Sequence, residues 1–590
     1  MQPKKVFAHY MVCNRDYGSS VSGYGRDIAD AQAMGFDGFA LNIGAWNSTT
    51  NYMGDTALMF AAAAQNAAAQ SASANPLPPF MLFLSADMTG LDYPSIVAFM
   101  TQYSAHPNYA KMQVVNTAGV TEARPILSTW GGEGGAFDGA TTDAVKPRWH
   151  QTVLDVLKTA NINVFFMPRL FVNWTPSNVA ALAVGFADGL YIQSSLASIP
   201  PVGNQIDIVA DLNTQLAAAK AAGLFTMGSV SPQYWGSKQT SNGRMYYEFN
   251  GSVGLHAQFI GLINNSNCDW IECFTWNDFD EATYLSPIDD VNKYWPYCQN
   301  STANFYKQRN GYKNEIPFYI KWFKTGTMPA IAQNEIIGYH RTMPNNLRLA
   351  DPIGVVYSGQ WNTNTNAPDA TDQIVFTTKL PAPATIFYTG GVPAQTQSAN
   401  VLAGLQHTTF PFAVGPHTVS LTRNNAAFLN LTLEPIVNTI TPPSYNFNYA
   451  SAAAVSPYIT GATILDYDIA TSQALTEITE NLNSIASGTD GYIHAQVSCS
   501  ASDTKVPVDV TSFTPSACLV PLGGVFNPVA NQSLLLPATW LKRGVSSFVS
   551  LAVGPHASVS PVPGQYKLYW QISANGQTLG GYATGSVLFL

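Results

Sequence analysis

From residue 4 to about 310, short runs of β-branched and aromatic residues alternate with longer stretches in which apolar residues recur every three or four positions. The short runs suit buried strands and the longer ones suit helices with one buried stripe. Their alternation is the sequence form of βα units around a parallel sheet. Eight strands are expected, over residues 4–12, 36–43, 79–88, 124–130, 162–170, 188–193, 224–230 and 270–276. Helices are expected over 25–34, 93–104, 147–160, 206–222 and 253–264. Few folds accept this alternation eight times in about 300 residues. The fold class predicted is α/β, a closed (β/α)8 TIM barrel over residues 1–332.

After about residue 335 the helical period disappears, and Pro-rich turns separate runs of alternating Thr and Val. A β-sandwich packed on the barrel is expected over 333–441, a linker over 442–458, and a β-rich accessory domain over 459–590. Within the last block, strands are expected near 492–498, 546–553 and 565–572, after a helix-like stretch over 470–487. The longest apolar runs, 80–84 and the Ala-rich stretch 61–69, fall short of the ~20 residues that cross a bilayer, so no membrane partner is expected.

Charge narrows the partners further. The 27 Lys and Arg are spread thinly against 36 Asp and Glu, a net charge of −9, and no basic stripe exists to neutralise phosphates. Nucleic acid is therefore not an expected partner. Charged residues are 11% of the chain, while 12 Trp and 28 Tyr supply ring faces. That balance suits a neutral polyhydroxylated ligand. No G-x-S-x-G, P-loop, H-E-x-x-H or dinucleotide G-x-G-x-x-G motif is present in its required context, and no paired C-x-x-C suggests zinc, so neither cofactor nor metal is expected. Of the six cysteines, Cys268 with Cys298 and Cys499 with Cys518 are spaced for two disulfides, leaving Cys13 and Cys273. Seven glycosylation triplets, at Asn47, Asn173, Asn250, Asn264, Asn300, Asn430 and Asn531, favour secretion. The start Met-Gln-Pro-Lys-Lys has no apolar signal core, so a mature secreted form behind an added Met1 is expected.

In a barrel of this kind catalytic groups project from the carboxyl ends of the strands. The candidates there are His9 and Tyr10, Asn42, Asp87, Trp130 and Glu133, Arg169, Gln193, and a cluster after the eighth strand. That cluster, Thr275-Trp276-Asn277-Asp278-Phe279-Asp280-Glu281, sets three carboxylates among large rings. Paired carboxyl groups are what glycoside cleavage requires, one protonated to donate to the leaving oxygen and one ionised to activate water or attack carbon. Asp278 and Glu281 can form that pair, and apolar cover with mutual repulsion would raise one pKa. The same spacing also suits a solvated acidic loop or a helix start. Asp87 follows the buried run 80–86, where a charge must be paired or face a cleft. His9 and Asn277 are candidate hydrogen-bonding partners for sugar hydroxyls, and Trp130, Trp174, Tyr234, Trp235 and Trp276 are candidate stacking platforms.

Four segments carry a family resemblance: Val6-Phe7-Ala8-His9-Tyr10-Met11-Val12, Gly35-Phe36-Asp37-Gly38-Phe39-Ala40-Leu41-Asn42-Ile43, Ser85-Ala86-Asp87-Met88, and the cluster ending at Glu281. In these, in their order and in their spacing, the chain resembles the fungal α-1,3-glucanases, or mutanases, of glycoside hydrolase family 71. The likeness extends through the barrel to about residue 440. It implies endo-hydrolysis of α-1,3-glucan with inversion at the anomeric carbon, catalytic acids at Asp278 and Glu281, and a further essential carboxylate at Asp87. The family motif usually reads Trp-Asn-Asp-Tyr-Gly-Glu, and here Phe279 and Asp280 replace its Tyr and Gly. Arg169 stands where a smaller residue is usual. The expected protein is a secreted, monomeric, inverting endo-α-1,3-glucanase with Glu281 as acid and Asp278 as base, or with those roles exchanged. The rivals are a hydrolase of another α-glucan linkage and a glucan-binding wall protein without activity.

Overall fold

The computed structural model describes residues 2–132, 142–170, 176–193, 205–236, 246–247, 249–287, 306–350, 372–440 and 445–457, except 74, 117, 424 and 425, and beyond these the backbones of strands between Thr463 and Phe589. The first 330 residues fold as a mixed α/β unit around a curled parallel sheet. Its strands are Val6–Met11, Gly38–Ile43, Met81–Asp87, Thr121–Trp130, Phe165–Pro168, Gly189–Ile192, Phe225–Val230 and Trp270–Cys273, each within or overlapping an expected run. The first strand pairs with the second and the eighth. From there the ladders run outward in sequence order to the fifth strand on one side and the sixth on the other.

No ladder joins the fifth and sixth strands among the described residues, but Asp188 ties their starts together. Its N–H donates to the Phe166 carbonyl (2.9 Å) and its carboxylate accepts from the Phe166 N–H (2.9 Å).

Successive strand residues face opposite sides, so one set of alternate positions lines the inside of the curl. At the amino ends of the strands that set is aromatic. Phe7 meets Phe83 at 5.1 Å and Trp270 at 5.3 Å, Trp270 meets Phe225 at 5.1 Å, and Phe225 meets Phe165 at 5.7 Å. The last pair spans the two edges because Gly189 starts the sixth strand, where a Cβ would lie 3.0 Å from that of Phe225. The buried rings Phe7, Phe83, Phe165 and Trp270 each contribute about 2–3 kcal/mol relative to exposure, and the partly buried Phe225 less. This apolar floor fixes the curl and leaves the carboxyl ends for polar groups.

The outer face is covered by helices Val21–Ala33, Tyr52–Ser71, Tyr93–Tyr103, Gln205–Ala221 and Val253–Ile263, among others. Their starts are legible: Ser20 accepts from the Gly23 N–H, and Asp92 accepts from the Ser95 N–H ahead of Pro94. The helix Tyr52–Ser71 contains the Ala-rich run that sequence analysis used only to exclude a membrane span. Met59, Phe60, Ala62 and Ala63 form its buried stripe. A hairpin strand, Lys111–Val115, pairs antiparallel to the fourth strand and was not expected either.

Residues 333–457 form two antiparallel four-stranded sheets. One has the order Gly404–Pro411, Gln373–Leu380, Gln333–Arg341, Tyr449–Pro457, and the other Gln395–Val401, Ala384–Gly390, Gly415–Arg423, Ala426–Ile436. They share a core that includes Ile336, Ile374 and Phe376 from the first and Ile386, Tyr388 and Leu421 from the second.

The strand Tyr449–Pro457 corrects the expected linker over 442–458, since it pairs with Gln333–Arg341 along its whole length. Its Ala and Ser residues read as a spacer but answer a close approach. The helix Asn310–Thr325 passes so near that the Gly311 N–H bonds Ser451 Oγ (3.1 Å) and a Cβ on Gly311 would lie 2.6 Å from Ile337.

In the last block the strands Gly491–Ser498, Ser546–Val553 and Gly564–Ala574 match expectation. Of the expected helix over 470–487, Ser484–Ile485 pairs as strand with Leu588 and Phe589, and residues 471–483 lie outside the described residues.

Cys268 is a buried free thiol, which corrects its expected disulfide to Cys298. Its Sγ donates to the Trp270 carbonyl (3.1 Å), and burial pushes its pKa up to about 12. Among the described residues no helix is long and apolar enough to cross a membrane.

Candidate active site

Two and four residues beyond the aromatic floor, the same inward-facing positions turn polar: His9 on the first strand, Ser85 and Asp87 on the third, Arg169 after the fifth, Glu272 on the eighth. A sheet interior that is apolar at one end and polar at the other can hold its fold at the first and do chemistry at the second. Over the polar end lies the loop that follows Cys273.

That loop is fastened at both faces. Asn277 Oδ1 accepts from the Met11 N–H (2.8 Å), its Nδ2 donates to the Met11 carbonyl (3.2 Å), and Asn14 Nδ2 donates to the Asn277 carbonyl (2.7 Å). The Trp276 N–H donates to the His9 carbonyl (2.7 Å) and its ring N–H to Asp27 (2.9 Å). The loop closes on itself where the Thr275 N–H meets the Thr283 carbonyl (3.0 Å). Asp278 is thereby held with its N–H on Thr275 Oγ1 (2.8 Å), and its Oδ1 accepts from the backbone N–H groups of Asp280 and Glu281, both at 3.1 Å. A carboxylate that accepts from backbone donors has a fixed orientation.

Glu281 is only partly exposed. Its Oε1 accepts from the Tyr234 hydroxyl (3.4 Å) and its carbonyl accepts from the Trp235 N–H (2.8 Å). Burial, and then repulsion from Asp278, push the Glu281 carboxyl up to about 8. Burial, and then Asp280, push Asp278 up to about 6, against the lowering effect of its backbone donors. Two things split the pair: the charge of Asp278 raises Glu281, and Asp278 receives two backbone N–H groups at 3.1 Å where Glu281 has one longer phenol contact.

Asp87 ends the third strand half-buried, with Oδ1 accepting from the Thr89 N–H (3.0 Å) and hydroxyl (2.6 Å). Tyr52 and Cys13 connect it to the loop. Burial, and then the Cys13 thiol, raise the Tyr52 phenol, with Asp87 adding to that effect, and Asp278 in turn acts on Cys13. The third-strand and eighth-strand carboxylates therefore share one electrostatic neighbourhood.

Several expected ligand contacts are instead structural. Tyr10 faces outward, fully buried, with its hydroxyl donating to Asp27 (2.9 Å) and its ring 4.8 Å from Phe39. Trp276 is buried against Phe39 and Phe36, and the amide of Asn277 is spent on backbone groups, so neither offers a face to a sugar. Trp235 is buried with its ring 5.9 Å from that of Phe447. The ring of Trp130 carries the Arg169 guanidinium at 3.6 Å and lies parallel to Phe274 at 4.9 Å.

Of the remaining candidates, Tyr234 reaches the site but spends its hydroxyl on Glu281, and Asn42 is buried at the carboxyl end of the second strand. Gln193 is buried just beyond the sixth strand. Trp174 and Glu133 lie outside the described residues. His9 is buried inside the curl with Nδ1 2.6 Å from Glu272 Oε1.

Glu272, and the buried acids Asp16 and Asp27 behind the loop, were not anticipated. Glu272 had a signal: a carboxylate inside the buried run Trp270-Ile271-Glu272-Cys273, at the same parity as Trp270, must meet a partner on a neighbouring strand. Asp16 and Asp27 had none, because their burial depends on how the first loop folds under Trp276. Among the described residues no three His, Cys, Asp or Glu side chains are grouped so as to hold a metal ion.

The family model described as glycosyl hydrolase family 71 matches residues 2–463. The chain belongs to this family. It is similar to a glucan endo-1,3-alpha-glucosidase of Schizosaccharomyces pombe, 24% identical over 450 residues that cover 75% of this chain and 93% of that protein. It is also similar to a mutanase of Penicillium rubens, 26% identical over 440 residues, 71% of this chain and 84% of that protein. Among solved structures, a GH99 endo-alpha-mannosidase from Bacteroides thetaiotaomicron aligns with a TM-score of 0.37 at 11% identity, over 54% of this chain and 98% of that one.

Between about 6 and about 8, Asp278 has lost its proton while Glu281 keeps its own.

Proposed function

We propose that this protein is a secreted, monomeric endo-hydrolase of α-1,3-glucan that inverts the anomeric centre, with Glu281 as general acid and Asp278 as general base. The observation that carries the assignment is the fixed Asp278 carboxylate, held by two backbone donors three residues from a Glu281 carboxyl that burial keeps protonated. Glu281 gives its proton to the glycosidic oxygen as the C1–O bond breaks. Asp278 takes a proton from water whose oxygen bonds C1 from the opposite face, and solvent exchange then restores both groups. Asp87 holds a glucose hydroxyl at the same opening. The linkage and the internal mode of cleavage are taken from the name of the Schizosaccharomyces pombe relative.

The architecture proposed with this function is a closed (β/α)8 barrel over residues 1–332, a β-sandwich over 333–441 extended by the strand up to residue 457, and a separate β-rich domain over 459–590. Asp188 at the seam and the Phe165–Phe225 contact across it support closure.

The test is reducing-sugar release from alkali-extracted insoluble α-1,3-glucan by wild type, Asp278→Asn and Glu281→Gln, with proton NMR of the first-formed anomer. Release by wild type alone, with the β-anomer appearing first, supports the whole reading. Release from α-1,4-glucan only would reassign the linkage, an α-anomer first would exclude inversion, and full activity in both variants would exclude this site. Tight binding to glucan without release would make the chain a wall-binding protein.

A further inference from the structure

Glu281 is flanked by two short segments, and both are gripped by one side chain from the β-rich region that follows the parallel sheet. Before Tyr234, whose hydroxyl meets the Glu281 carboxyl, stands Gln233, and after Glu281 comes Tyr284. Asn448, just ahead of the strand Tyr449–Pro457, holds both: its Nδ2 donates to the Tyr284 hydroxyl (2.8 Å) and its Oδ1 accepts from Gln233 Nε2 (3.2 Å). Arg309 completes the knot, donating to Asn448 Oδ1 and to the Tyr284 carbonyl (2.8 Å). The backbone joins in, since the Tyr449 N–H donates to Gln233 Oε1 (3.3 Å) and the Asn448 N–H is held by Asn446 Oδ1 (2.8 Å).

Asn448, Gln233, Tyr284 and Arg309 are all buried. A buried amide with donors and acceptors both engaged is costly to disturb and so defines position sharply. Beside it, Trp235 and Ala282, the neighbours of Tyr234 and Glu281, pack with Phe447 in one apolar cluster.

We infer that Asn448 is a positioning residue for Glu281: it locks the segment that carries Tyr234 to the segment that carries Glu281, so the second domain completes the catalytic site of the first. The inference rests on the assignment of Glu281 as the acid. It follows that the sheet unit ending near residue 332 would keep its carboxylates but lose the geometry between Tyr234 and Glu281.

The groups that set the titration of Glu281 are Asp278 and Asp280 on its own loop, Tyr234 from the loop after the seventh strand, and Arg169 from the end of the fifth. Of these, Tyr234 is the one whose contact depends on the Asn448 knot. Its hydroxyl donates to the carboxyl and so favours the ionised form. Loosening the knot removes that donor and raises the pH at which the acid loses its proton.

The experiment is the pH profile of kcat on α-1,3-glucan for the full chain as wild type, Asn448→Ala, Tyr234→Phe, the double variant, and Glu281→Gln. Expected is an alkaline limb moved to higher pH in both single variants, no further movement in the double, and a kcat lowered by about tenfold in Asn448→Ala, as misplacement of a general acid gives. Should Asn448→Ala not fold, Gln233→Leu cuts one arm of the same knot, and the same limb movement, absent any further change with Tyr234→Phe, is expected. An active wild type, an inactive Glu281→Gln, and an Asn448→Ala whose melting temperature falls while its limb stays in place would overturn the positioning role and leave the catalytic assignment intact. A wild type that releases no sugar, or an active Glu281→Gln, would overturn both.

Discussion

Glu281→Gln tests the electrostatics of the site through stability rather than through catalysis. An ordinary glutamate carboxyl titrates near 4.5, whereas burial and Asp278 push Glu281 up to about 8. Below pH 4.5 the carboxyl is protonated in both the folded and the unfolded chain, so it contributes no pH dependence. Between 4.5 and 8 the folded protein keeps the proton and the unfolded chain releases it, so the stability of the fold falls as pH rises, and it levels off above 8.

The full span corresponds to roughly 4–5 kcal/mol, and a partly solvated carboxyl realises part of it, so about 2–4 kcal/mol is expected. Gln carries no titrating group and fills nearly the same volume. The assay is urea unfolding of both proteins, followed by Trp fluorescence, at steps from pH 5 to pH 9. The stability of the variant minus that of the wild type should grow by about 2–4 kcal/mol between pH 5 and pH 8 and then stay constant. A difference that is flat across this range would show that Glu281 is not held protonated, and the acid assignment would fall with it.

The pH profile of kcat/KM for the wild type should be bell-shaped, falling below about 6 as Asp278 gains a proton and above about 8 as Glu281 loses its own, and initial rates from pH 4 to 10 check both limbs. Trp276→Phe takes the ring N–H from buried Asp27 and should cost about 1–3 kcal/mol of stability, read from urea unfolding, with a fall in kcat because that ring N–H helps hold the loop that carries Asp278. Cys268 should resist iodoacetamide in the native protein and react on unfolding, with its free thiol found by peptide mapping under non-reducing conditions.

Much of this was legible before folding. The eight strands could be read because a parallel strand buried on both faces is an apolar run rich in β-branched and aromatic residues and too short for a buried helix. The last loop could be read as a place where acids and large rings meet at a strand end, although its spacing also suited a solvated acidic loop or a helix start. What could not be read was direction. Tyr10 and His9 are neighbours in sequence and both looked like site residues, but one-residue alternation sends His9 inward to Glu272 and Tyr10 outward to Asp27. Trp276 and Asn277 sit next to Asp278 and still belong to the scaffold, because the turn that leaves Asp278 8% exposed buries the two side chains before it completely.

The small residues of 449–457 misled for a related reason. Ala and Ser signal a spacer when nothing is known to lie over them, and a strand when a helix crosses at van der Waals distance.

The sequence by itself determined the class of fold, through apolar periodicities that are properties of a local segment, and the chemical type of the site, through which ionisable groups end those segments. Only the tertiary structure decided which of those groups titrate where. A pKa depends on burial and on donors supplied from elsewhere in the chain: Asp280 and Glu281 N–H groups for Asp278, Tyr234 for Glu281, and behind Tyr234 an asparagine more than 200 positions away. Periodicity is written in neighbours along the chain, whereas proton affinity is set by neighbours in space.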